Sequence, residues 1–133
     1  MKIDWESLMT AAAEVRDRSY SPYSKFPVGA ALLDVDGAIH VGTNVENLSF
    51  GLTLCAERAA LVSAVAGGAR RFTAVAIIAD SRTPVTPCGA CRQVLVEFGD
   101  IAVRSFNLEG DYFDALLSDL LPRASEGILD DPE

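Results

Sequence analysis

With 11 Lys and Arg against 19 Asp and Glu in 133 residues, the chain has a formal net charge of −8, which repels phosphate backbones and argues for a small neutral or cationic ligand rather than nucleic acid. Half of the residues are hydrophobic, enough for one domain with its own core, yet no run reaches the ~20 apolar residues that span a bilayer. The opening MKIDWESLM lacks the basic start and apolar core of a signal peptide, so a soluble, cytoplasmic protein with no membrane partner is expected.

Along the chain, Trp5, Leu8, Ala12 and Val15 recur at helical spacing behind a capping Asp4. SPYSKFPVG breaks that helix. VGAALLDV (28–35) and AIHVGTNV (38–45) then flank Asp36 and Gly37, a pair that favours a tight hairpin. From Thr53, TLCAERAALVSAVAGG reads as a helix ended by paired glycines; apart from Glu57, Arg58 and Ser63 it is apolar all round, which predicts burial on more than one side. FTAVAIIAD is a continuous apolar, β-branched run, typical of a strand covered on both faces. PCGACRQVLVEFG starts a helix after Pro87 and stops it at Gly99, IAVRSF is a strand, and DALLSDLLP a last short helix. The tail EGILDDPE is expected to be frayed, from about residue 123 onward. This order predicts one α/β domain over 1–133, with a mixed, mainly parallel sheet, helices on both faces and an N-terminal antiparallel hairpin.

An odd count of three cysteines, two of them in CGAC, argues against a disulfide framework and toward metal or redox chemistry. Cys55 stands at the start of one predicted helix, and Cys88 and Cys91 at the start of another. Groups in a first turn can meet a ligand off the helix end, so two helix starts can converge on one ion. Both macrodipoles favour thiolate, and Arg58 and Arg92 are placed to add positive charge. Three protein ligands on Zn²⁺ leave the fourth tetrahedral corner for water, the arrangement of catalytic sites. Glu57 is the proton acceptor for that water, provided the metal lies beyond the helix end, since i and i+2 share no face in mid-helix. Inert buried thiols, a thioredoxin-like CxxC, or a closed structural zinc site completed by His40 or Glu57 are the alternatives. Taken alone, Asn44 with Glu46 reads as loop capping, Phe26 as core filler and His40 as a strand-surface residue.

CAE followed about thirty residues later by PCGAC resembles the zinc-dependent deaminase signature in its three-cysteine form. YSPYSKFPVGAALL, GTNVENLSFGLTLCAERAAL, PCGACRQVLVEFG and the late DLLP, in that order, are similar to the small homotetrameric cytidine deaminases over about residues 20–122. The resemblance implies a three-layer α/β/α fold with a five-stranded sheet, one Zn²⁺ per subunit, and hydrolytic deamination of cytidine and deoxycytidine in pyrimidine salvage. It implies Cys55, Cys88 and Cys91 as zinc ligands, Glu57 as proton shuttle and Arg58 as a donor to the thiolates. It further implies Asn44 and Glu46 on the ribose hydroxyls, Phe26 lining the nucleoside pocket, the main chain of Ala56 and Thr86 on the base, and a tetramer whose sites borrow loops from neighbours.

Two positions depart from the family pattern. Phe50 stands where a tyrosine is usual, and Ser125 stands where a late phenylalanine stacks on the base, with Ile128 and Leu129 the nearest apolar candidates to replace it. Base stacking is worth roughly 1–3 kcal/mol, so its loss would weaken cytidine binding about tenfold or more, or mark a preference for another aminopyrimidine nucleoside. Deamination of a modified cytosine nucleoside such as blasticidin S and a non-catalytic zinc or nucleoside-binding module are the competing readings. Blasticidin-type deaminases share the zinc motifs but lack the full NVEN clamp. A polynucleotide-editing deaminase is disfavoured by the acidic charge.

Overall fold

The computed structural model describes residues 2–124. Helix α1, Trp5–Arg16, starts where the Asp4 side chain accepts from the Ser7 amide at 3.1 Å, and it buries Leu8, Ala12 and Val15. Strands β1 (Val28–Asp34) and β2 (Ile39–Thr43) form the hairpin, turning through Gly37 at φ 92°. A 3₁₀ turn at Phe50–Leu52 leads into α2, Ala56–Ala66. Strand β3 (Phe72–Ala79), helix α3 (Gly89–Val96), strands β4 (Ala102–Phe106) and β5 (Tyr112–Leu116) and a four-residue helix α4 (Leu117–Leu120) complete it.

The sheet has the order β2-β1-β3-β4-β5. β1 is antiparallel to both β2 and β3, β3 is parallel to β4, and β5 is antiparallel to β4. Strands β2, β3 and β4 therefore share one direction, joined by crossovers through α2 and α3. Only β3 and β4 are parallel neighbours, because β1 is inserted between β2 and β3. The sheet is mixed and five-stranded, the α/β class expected.

Alternation along the strands sorts the core into two layers. Ala31, Ala74, Ala76 and Ile78 face α1, while Ala30, Leu32, Val75 and Ile77 face α2 and α3. β3 is thus covered on both faces, as its unbroken apolar run predicts. Small residues let the helices press close. A Cβ on Gly42 of β2 would lie 2.2 Å from the amide nitrogen of Ala60 in α2, so only glycine permits this contact of backbone with backbone.

Three boundaries differ from expectation. Thr53 and Leu54 are not helical, because Leu54 pairs with Val45 in an isolated antiparallel bridge, and α2 begins at Ala56 with Cys55 as its N-cap. Residues 112–116 are a strand rather than the start of the last helix. There Asp114 sits opposite Arg104 of β4 and accepts two hydrogen bonds from its guanidinium, at 2.6 and 2.9 Å. The same guanidinium lies over the rings of Trp5 and Tyr112 at 4.8 and 4.2 Å. This tertiary pairing overrides the helical pattern of ALLSDLL. Third, α2 is buried on one side only within the chain: Ala56, Ala60, Leu61 and Ala64 join the core against the sheet, whereas Val62 is 53% exposed. No helix among the described residues is long and apolar enough to cross a membrane. The acidic tail, Ser125, Ile128 and Leu129 lie outside the described residues.

Candidate active site

The N-termini of α2 and α3 meet at one corner of the molecule. Cys55 and Cys88 are their N-cap residues, both in extended backbone (ψ 156° and 167°), which turns each thiol off the helix end. Cys91 is one turn into α3 and fully buried. Cys55 Sγ is 4.0 Å from Cys88 Sγ, Cys88 Sγ is 3.5 Å from Cys91 Sγ, and all three sulfurs lie within 4.8 Å of one another. Tetrahedral coordination at a Zn–S distance of ~2.3 Å sets sulfurs about 3.8 Å apart, and a disulfide needs about 2.05 Å, so this spacing fits a shared ion and not a bond. Among the described residues these three form the cluster able to hold a metal. Three sulfurs leave one corner open.

His40 does not close it. Its Nε2 is 2.9 Å from Asp34 Oδ2 at the far end of β1, about 20 Å along the strand from Val28 at the cavity. A two-cysteine redox motif is equally a poor description, because it leaves the third sulfur of Cys55 unexplained.

Electrostatics favour a sulfur anion at Cys55. The Cys55 thiol is lowered to about 5, mainly by a hydrogen bond from Cys91 and next by Arg58, against the opposing effect of burial. Cys91 is shifted the other way, by donating to Cys55 and by burial. Arg58 Nη2 donates to Cys55 Sγ at 3.3 Å and to the Thr53 carbonyl at 3.4 Å. Arg92 does not join them. Its guanidinium donates to the carbonyls of Pro87 (2.7 Å) and Leu120 (2.9 Å) and to Thr86 Oγ1 (3.0 Å), tying the Cys88 loop to α4. The expected charge contribution to the thiols is therefore a structural brace instead.

Glu57, in the first turn of α2, is 6% exposed, and burial pushes its carboxyl up to about 7. It lines a cavity of about 280 Å³ that also reaches Cys55 and Cys88. Phe26, Asn44, Glu46, Ala56 and Thr86 border the same cavity, so of the zinc, proton-shuttle and substrate residues that the resemblance implies only Arg58, which bonds Cys55 Sγ, and the buried Cys91 do not line it. The Ser24 hydroxyl, then burial in the opposite sense, act on the Glu46 carboxyl, with the net effect of holding it below the usual carboxylate range. Sequence reasoning missed Ser24, Val28, Thr53 and Val85, which also line the cavity. Ser24 lies two residues before Phe26, and Thr53 two before Cys55, so proximity to the motifs was the available signal.

Comparison with known proteins agrees with this geometry. Residues 2–106 match the family model described as the cytidine and deoxycytidylate deaminase zinc-binding region. A cytidine deaminase of Sporosarcina psychrophila is 49% identical over 124 residues, covering 92% of this chain and 91% of that protein. One from Mycobacterium tuberculosis is 42% identical, covering 91% and 96%. Among solved structures, the cytidine deaminase of Burkholderia pseudomallei superposes with a TM-score of 0.87 at 46% identity, covering 90% of this chain and 98% of that one. That of Mycobacterium leprae gives 0.78 at 39%, covering 91% and 99%. With its fold and most of its length held in common with these enzymes, the chain belongs to the cytidine and deoxycytidylate deaminase family.

Proposed function

We propose that the protein hydrolyses cytidine and deoxycytidine to uridine and deoxyuridine with release of ammonia, using one Zn²⁺ per subunit held by Cys55, Cys88 and Cys91. The observation that carries this reading is the trio of sulfurs within 4.8 Å at the edge of a cavity that also contains a buried carboxyl group. Held by these three sulfurs, zinc would make a water acidic enough to act as nucleophile near neutral pH. Glu57 takes a proton from the attacking water and delivers it to the pyrimidine N3, and it then passes the second proton to the departing amine. One water is consumed and one ammonia leaves, so Glu57 ends as it began. Arg58 offsets the surplus negative charge of three thiolates, which would otherwise make the water less acidic. Asn44 and Glu46 face the sugar, Phe26 packs on the nucleoside, and the main chain of Ala56 and Thr86 meets the base.

Among the described residues no lysine, arginine or histidine lines the cavity, and Glu46 places a carboxylate in it. That lining favours a neutral sugar over a 5′-phosphate, so the nucleoside and not the nucleotide is the substrate. Leu48, Phe50 and Leu52 are 79%, 72% and 72% exposed, and Val62 on α2 is 53% exposed. Such apolar side chains support assembly into a homotetramer with shared active sites, in a cytoplasmic protein of one domain.

The test is to mix purified, zinc-loaded protein with cytidine and follow the loss of its ultraviolet absorption, with a panel of deoxycytidine, methylated cytidines and blasticidin S. Turnover of cytidine and deoxycytidine supports the reading. Binding without turnover would assign a nucleoside-binding module instead, and turnover of blasticidin S alone would move the substrate.

A further inference from the structure

Residues 19–26, between α1 and β1, have no regular secondary structure, yet they surround Asn44 and Glu46 with hydrogen bonds. The Tyr20 amide donates to the Asn44 carbonyl at 3.1 Å and the Glu46 amide to the Tyr20 carbonyl at 2.8 Å, which clips the two segments together. Ser19 Oγ donates to Asn44 Oδ1 at 2.6 Å, and the Val28 amide donates to the same oxygen at 2.9 Å. Asn44 Nδ2 donates to the Phe26 carbonyl at 3.0 Å. Because one partner is a main-chain donor and the other a main-chain acceptor, the orientation of the amide is fixed. Glu46 Oε1 accepts from the amides of Tyr23 (3.0 Å) and Ser24 (3.1 Å), and the Ser24 hydroxyl donates to Oε2. That hydroxyl in turn accepts from the Phe26 amide at 3.1 Å.

What remains can be counted. The Asn44 oxygen has both lone pairs engaged, and its nitrogen has one of two hydrogens left. Glu46 Oε1 is saturated, and Oε2 has one lone pair left. The pair therefore presents one donor and one acceptor to the cavity that both residues line.

We propose that Ser24 is a positioning residue that anchors the Glu46 carboxylate in the cavity it shares with Asn44, whose amide the Val28 amide and the Phe26 carbonyl already orient, so that the pair selects a single sugar hydroxyl. A hydroxyl accepts from Asn44 and donates to Glu46 at once. A carbonyl or fluorine has no hydrogen for Glu46, an ammonium has no lone pair for Asn44, and a bare methylene has neither. Leaving the carboxylate lone pair without a donor in the filled site costs the analogue its binding. The selection rests on the reading above that Asn44 and Glu46 face the sugar.

The experiment compares kcat/KM for cytidine and for 2′,3′-dideoxycytidine in the zinc-loaded wild type and in Ser24→Ala, Ser24→Thr and Glu46→Gln. The wild type is expected to prefer cytidine. Ser24→Ala should shrink that preference by at least about tenfold, through a raised KM for cytidine and a smaller change on the dideoxy compound. Ser24→Thr keeps the hydroxyl and should keep the preference. A wild-type preference in Ser24→Ala, or an equal loss on both substrates, overturns the proposal. If Glu46→Gln collapses the preference and Ser24→Ala does not, the role of Ser24 alone falls. If Glu46→Gln also leaves it unchanged, the sugar-facing reading falls with it.

Discussion

At the sulfur end of the cavity, Cys55 and Cys88 are N-caps of α2 and α3, helices packed on a central sheet whose facing side chains are buried. At the other end, Asn44 and Glu46 are held by residues 19–26, a loop that is mostly exposed and organised by hydrogen bonds from serines and main-chain amides. The two constructions answer different demands. An ion shared by ligands from two helices tolerates little displacement, so the ligands stand on elements fixed by packing. Holding the polarity of two side chains needs only the right donors, which a loop supplies.

The largest contrast is expected from Glu57→Ala. It should keep zinc and fold but lose at least about 10²–10⁴ in kcat, the usual contribution of a positioned acid and base; steady-state kinetics on metal-loaded protein checks this, and near-normal turnover would remove Glu57 from the chemistry. Next comes Gly42→Ala. Its Cβ would fall 2.2 Å from the Ala60 amide and 2.6 Å from the Ala56 carbonyl, both backbone atoms of α2, so the helix carrying Cys55 at its end must move. A loss of about 3 kcal/mol in denaturant unfolding, accompanied by weaker zinc retention, is expected; unchanged melting would mean that α2 is not seated on β2 as described. The smallest effect belongs to the loop. Lys25 adopts φ 59°, a left-handed conformation costly to any side chain, two residues after the Tyr23 amide that meets Glu46. Lys25→Gly should stabilise by up to about 1 kcal/mol and leave KM unaltered. A destabilised variant would show that this turn is not held in the left-handed region.

The same division explains what could be read from the sequence. Helix starts and their cysteines were legible because capping and ligand spacing are local, within CAE and PCGAC. Even so, α2 was placed three residues early, since only the distant Val45 shows that Leu54 is tied into a bridge. Strand β5 was hidden because Arg104, which pairs with Asp114 and stacks on Tyr112, lies outside the stretch DALLSDLLP that reads as a helix. Arg92 looked like a charge for the thiols and proved to brace Leu120, 28 residues away. The hydrogen bonds of Ser19 and Ser24 were hidden for the same reason, their partners standing 25 and 22 residues further on, although Ser24 adjoins the Phe26 motif. Phe50 meets Tyr23 edge to face at 5.9 Å, and its missing hydroxyl leaves that loop contact intact.

Zinc content of gently purified protein, measured by elemental analysis beside single Cys55→Ala and Cys88→Ala variants, tests the central claim most directly. One zinc per chain in the wild type, lost in both variants together with thermal stability, is the predicted result. Full zinc after removal of Cys55, or no stoichiometric metal in the wild type, would contradict the joining of two helix ends through one ion.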